Sequence, residues 1–84
     1  MSPMDLIDKA EKDPEAVRRA KAYAPTSLDL YRAFLFGWAG GDLKVPTTHW
    51  QRSAAQAGLT AKLGFTVPAN HADLVKNESV FTAQ

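Results

Sequence analysis

The sequence lacks the residues that most often build metal sites and covalent crosslinks. It has no cysteine, and its only two histidines, His49 and His71, lie far apart in the chain. Disulfides and thiolate metal ligands are therefore excluded, and no short His-x-x-x-His spacing is present to hold a metal ion. We accordingly expect neither a metal nor a cofactor.

A charge imbalance and a long hydrophobic run are also missing. Ten lysines and arginines face nine acidic residues, and residues 1–25 carry five of each sign. A nucleic-acid-binding domain of this size usually has a basic excess, so the composition argues against a nucleic-acid partner. No segment approaches the roughly 20 apolar residues that span a bilayer, and the N-terminus has no signal-peptide pattern. We expect no membrane association and a location in the cytoplasm, or within a virion or large complex.

What is present is typical of a folded domain. Hydrophobic residues make up 45% of the 84-residue chain and charged residues 23%, which argues against disorder over most of the length. A chain this short forms one domain with a modest core. We predict a single helical domain over residues 1–77 and a polar C-terminal tail over residues 78–84.

Capping residues and breaks predict an all-α bundle of four to five short helices. Serine, threonine, aspartate and asparagine favour helix starts, proline favours the first turn, and glycine favours the residue after the last turn. The first predicted helix begins at Ser2 and Pro3, the second runs from Pro14 to Ala24, and the third runs from Leu28 to about Ala39 before Gly40 and Gly41. The fourth is capped by Thr47 or Thr48 and runs to about Ala57 before Gly58, and the last runs from Asn70 to about Lys76. Any strand would be marginal, at residues 43–45 or near Val80.

The third predicted helix is apolar nearly all round. Asp29 and Arg32 are its only charged residues. A helix with this pattern is buried on almost every side. The other predicted helices have narrow apolar faces, and so short a chain offers little to cover it. Aromatic residues are enriched in the centres of protein interfaces. We therefore predict that part of this helix binds a partner chain, through the residues Tyr31, Phe34, Leu35 and Trp38. The alternative is that the same side chains form the core of the bundle, and both can hold on different sides of the helix.

The resulting function hypothesis is a non-enzymatic interaction protein or structural subunit. It would be a component of a larger assembly, such as a phage particle or a bacterial complex, or a small inhibitor that occupies another protein's surface. The expected partner is another protein chain, with self-association left open. No catalytic residue is predicted, because Ser53 and Ser79 do not lie in the glycine-flanked turn that nucleophilic serines occupy.

The alternative function hypothesis is a helix-turn-helix regulator that binds DNA. Ala54, Gly58 and Leu59 are spaced like the small residue, the turn glycine and the apolar residue of such a motif. Arg52 and Lys62 would then contact phosphates. Against this hypothesis, the second helix would contain a glycine and meet a proline almost at once, and helix interiors tolerate neither well.

Overall fold

Four α-helices make up the computed structural model, which describes residues 2–68. They are α1 (Pro3–Glu11), α2 (Pro14–Tyr23), α3 (Leu28–Trp38) and α4 (His49–Lys62). No strand occurs in that part of the chain, and the predicted all-α class is confirmed. The predicted last helix, from Asn70 to Lys76, and the polar tail lie outside the described residues.

Each helix begins at a side chain that accepts a hydrogen bond from a first-turn amide. The amides at a helix start have no partner within the helix, and a capping oxygen satisfies one of them. At α1 the pairing is reciprocal, because the Asp5 carboxylate also accepts from the Ser2 backbone amide at 3.2 Å. The capping side chains and the amides that donate to them are Ser2 with Asp5, Asp13 with Glu15, Ser27 with Leu30, and Thr48 with Gln51. The four helix starts predicted within residues 2–68 are therefore confirmed.

The core lies around α3, which contacts each of the other three helices. Large side chains come mainly from α3, whereas α2 and α4 contribute mainly alanines. Phe34 is 1% exposed and Leu35 is completely buried. The expectation that this chain is too small to cover the apolar helix is thus wrong for these two residues. Alanine-rich faces on α2 and α4 allow both helices to approach α3 closely, so a small amount of chain covers it.

The contact between α3 and α4 depends on two glycines. A Cβ atom placed on Gly37 would overlap the backbone carbonyl of Ala55. A Cβ atom on Gly58 would overlap the backbone carbonyl of Phe34 and lie 2.8 Å from the amide nitrogen of Trp38. The two backbones therefore touch at a distance that only glycine permits.

The predicted end of the fourth helix at Gly58 is wrong, because α4 continues to Lys62. Gly58 keeps a helical conformation and serves the contact with α3. The helix ends at Lys62, about one turn beyond Gly58, and Gly64 follows with a positive φ of 100°. There the Gly64 and Phe65 amides donate back to the last turn at 3.0 and 3.2 Å, an arrangement typical of glycine-terminated helices. The same geometry ends α3 at Gly40, as the sequence predicted.

Candidate functional site

The structure places most of the predicted partner-binding residues in the core. The Phe34 ring lies 5.2 Å from the Tyr23 ring and 6.5 Å from the Trp38 ring, centroid to centroid. Trp38 is only 8% exposed, and the Lys62 ammonium lies 5.4 Å from the centre of its ring. Leu35 is also buried. Of the four predicted residues, only Tyr31 remains half-exposed.

The exposed apolar surface of α3 lies at its first residue, Leu28, which is 60% exposed. Leu28 borders a shallow cleft of about 320 Å³ where α2 turns into α3. We call this the corner cleft, and its lining residues are Lys21, Ala24, Pro25, Ser27, Leu28 and Tyr31. Helical spacing places Leu28 on the same face as the half-exposed Tyr31 and the buried Leu35. The position of Leu28 at the outer end of the helix, beyond the cover of the neighbouring helices, was not visible from that spacing.

Local sequence explains why the cleft forms at this corner. Pro25 follows the last residues of α2 and cannot continue its hydrogen bonding, so the chain leaves the helix there. Two residues later Ser27 starts α3, and its hydroxyl accepts from the Leu30 amide at 3.1 Å. The short turn places the exposed Pro25 and Leu28 close together at the surface, while Ala24 below them is buried. The result is a concave, largely apolar surface at the corner between α2 and α3.

Tyr31 forms one wall of the corner cleft and is held from the α1 side. Its hydroxyl donates to Glu11 Oε2 at 3.3 Å. Burial raises the pKa of the Tyr31 phenol, and the neighbouring Glu11 carboxylate raises it further. The phenol therefore stays protonated through the neutral range and keeps its hydrogen bond. This contact fixes the ring as part of the wall.

A second cleft, of about 370 Å³, is lined by Leu43, Arg52, Ser53 and Gln56. It contains a serine, but no histidine or acid is among these lining residues, so they do not supply a catalytic triad. Within residues 2–68 no three metal-ligating side chains come together. His49 packs edge-on against Trp50, with 5.4 Å between the ring centres, and His71 lies outside the described residues.

The geometry required by the DNA-binding alternative is absent from α4. A helix-turn-helix needs a turn at Gly58, and α4 passes through that residue without interruption. The Arg52 guanidinium donates to the Pro46 carbonyl at 3.0 Å, and Lys62 lies over the Trp38 ring. Both predicted phosphate-contacting side chains thus have contacts within the chain.

Similarity to known proteins gives no information on the function of this chain. No protein-family model, curated protein or solved structure matches the chain. None of the described helices combines the length and apolar character needed to cross a bilayer. The corner cleft combines the exposed Leu28 and Pro25 with the charged Lys21 on one concave surface.

Proposed function

We propose that this protein is a non-enzymatic binding protein that docks onto another protein chain through the corner cleft. It would act as a subunit of a larger assembly or as an inhibitor of its partner. The observation that supports this function is Leu28. It is 60% exposed on a helix whose other apolar residues are buried or half-buried.

A single exposed leucine is common on protein surfaces and by itself indicates nothing. Leu28 differs because it adjoins Pro25 and the Tyr31 ring across a concave surface. Concave apolar surfaces with a few polar groups at their edge are typical of binding sites. Complete burial of a leucine side chain contributes about 1.5–3 kcal/mol, so Leu28 can serve as the anchor of an interface.

This proposal moves the interface from the middle of α3 to its first turn. Phe34 and Leu35 are needed for the core, so changing them would unfold the chain and reveal nothing about a partner. Leu28 can be changed without opening the core, because most of its surface already faces solvent. On this proposal, the middle of α3 serves the core and its first turn serves binding.

The test is a Leu28→Asp variant of the full chain, compared with the wild type in co-purification from the native host. We expect an unchanged circular dichroism spectrum and melting temperature, and loss of the proteins that co-purify with the wild type. Leu63→Asp is the matched control, because Leu63 is 67% exposed but lies at the end of α4, outside the corner cleft. If the Leu28→Asp variant retains the same partners, the corner cleft is not the docking site.

A further inference from the structure

We propose that the corner cleft recognises an acidic peptide segment that carries an apolar side chain at its centre. This inference rests on the proposed function and adds the chemistry of the partner. It depends on which charged side chains near Leu28 already have partners. The net charge of the whole chain, which is nearly balanced, does not show this.

Two cationic side chains are associated with Leu28, one by lining the same cleft and the other by sharing a helix face. Lys21, in the last turn of α2, lines the corner cleft directly. Arg32 follows Leu28 by four residues on α3, a spacing that places both side chains on the same face of the helix. Both cations are exposed, and neither forms a hydrogen bond or ion pair with another residue of the described range.

Two acidic side chains beside the cleft residues Tyr31 and Leu28 form hydrogen bonds with other elements. Glu11 accepts the Tyr31 hydroxyl from its position on α1. The Asp29 carboxylate accepts from Gln51 Nε2 of α4 at 2.7 Å. The Glu11 carboxylate of α1 and the Asp29 carboxylate of α3 thus already have hydrogen-bond donors, whereas Lys21 of α2 and Arg32 of α3 have no such partner within residues 2–68.

The complementary ligand follows from these positions. An aliphatic or aromatic side chain would cover Leu28 and fill the cleft beside Tyr31. Carboxylates on either side of it would pair with Lys21 and Arg32. Exposed ion pairs of this kind contribute little affinity each, but they discriminate strongly against a basic partner and raise the association rate. The apolar centre therefore supplies affinity and the two cations supply selectivity.

The experiment is a selection from a random-peptide display library on the full-length protein at low ionic strength. We expect the enriched peptides to carry net negative charge around an aliphatic or aromatic residue. A Lys21→Glu/Arg32→Glu variant should bind these peptides at least about tenfold more weakly, a loss of about 1.4 kcal/mol. The charge-matched control is Lys9→Glu/Lys44→Glu, which changes two exposed lysines outside the cleft lining and should retain binding.

The Leu28→Asp variant separates failure of this inference from failure of the proposed function. Enriched peptides without acidic bias that still require Leu28 would overturn the acidic partner and leave the corner cleft as a docking site. Peptides that bind the Leu28→Asp variant equally well would overturn both, and so would a library from which nothing is enriched. A dimer of the wild type in sedimentation equilibrium that disappears on Leu28→Asp would assign the cleft to a second copy, and would also overturn the acidic partner.

Discussion

Gly37 and Gly58 set the distance between the two central helices. Glycine within a helix is unfavourable by about 1 kcal/mol relative to alanine, so both positions weaken their own helix. The packing of α3 against α4 compensates for this cost. Without a Cβ at either residue, the backbones of α3 and α4 come into direct contact, and buried alanines such as Ala54 and Ala55 pack around that contact. The free energy gained by close packing over this area exceeds the cost in helix propensity at the two glycines.

Replacing Gly58 by alanine should therefore destabilise the protein, although alanine is the better helix former. The added methyl group would overlap the Phe34 carbonyl, a backbone atom that moves only if the helices separate. Overpacking of this kind costs about 1–3 kcal/mol or more, which exceeds the propensity gain. We expect a net loss of about 2 kcal/mol and a melting temperature about 8–16 °C lower, measured by circular dichroism.

Gln56→Ala is the control for that prediction, since Gln56 lies on the exposed side of the same helix. It gains some helix propensity without meeting α3, so its melting temperature should stay close to that of the wild type. A Gly58→Ala variant more stable than the wild type would show that the glycine is only a weak point in α4.

Single residues also mark the limit of what the sequence predicts. Gly40 and Gly58 both follow alanine-containing helical segments, and local rules give both the same meaning as a helix end. Gly40 adopts the positive φ that a helix end requires, whereas Gly58 is helical and faces another backbone. That difference depends on which helix packs against the glycine. The residues that neighbour each glycine in the sequence do not contain this information.

At the scale of elements, Gln51 connects α4 to two other parts of the chain. Its side-chain oxygen accepts from both the amide and the hydroxyl of Thr47, at 3.2 and 3.3 Å. Its side-chain nitrogen donates to Asp29 of α3. The first turns of α3 and α4 and the loop before α4 are thus held together by one amide group.

A Gln51→Glu substitution should weaken this connection. The carboxylate can still accept from Thr47, but it replaces a donor to Asp29 with a like charge. Hydrogen bonds to charged groups contribute about 1.5–3 kcal/mol, whereas an acid in the first turn of α4 gains only about 0.3–1 kcal/mol from the helix dipole. Because the site is partly exposed, we expect a net loss of about 1 kcal/mol at neutral pH, measured by urea unfolding.

The pH dependence of this variant identifies the cause. The repulsion exists only while both carboxylates are ionised. Proton uptake by the folded pair removes it, so the stability deficit relative to wild type should shrink as the pH falls from about 7 to about 4. Gln56→Glu, which adds the same charge on the exposed side of α4, should show almost no deficit at either pH. A deficit for Gln51→Glu that is unchanged with pH would contradict the like-charge explanation.

The elements also show why helix starts could be predicted and the exposed end of α3 could not. Each start depends on residues within four positions of one another, as with Ser27 and Leu30, so the sequence contains the full cause. The exposure of α3 depends on where three other helices end. Phe34 and Leu28 are both apolar and helical in the sequence, yet the neighbouring helices cover the first and leave the second exposed.

For the molecule as a whole, folding and binding should depend on different forces. The core is built from apolar and small side chains, and the ion pairs found within residues 2–68 lie at the surface between exposed and half-exposed side chains. They link Glu15 to Arg18 at 2.6 Å and to Arg19 at 2.8 Å along α2. Hydrogen bonds from Arg18 and then Arg19 lower the pKa of the Glu15 carboxyl, so it stays ionised in mildly acidic solution. Exposed pairs within one helix add little to stability, and salt screens them.

Raising the salt concentration should therefore weaken peptide binding and leave the fold almost unchanged. Between about 0.05 and 0.5 M NaCl the Debye length falls several-fold, which screens Lys21 and Arg32 from an approaching acidic segment but does not affect burial of α3. We expect a melting temperature that moves by less than about 5 °C, because screening two exposed pairs changes stability by well under about 1 kcal/mol. Over the same range, affinity for the selected acidic peptides should fall at least several-fold. A parallel loss of both would mean that charge holds the fold itself together, and the separation of an apolar core from a charged docking surface would be wrong.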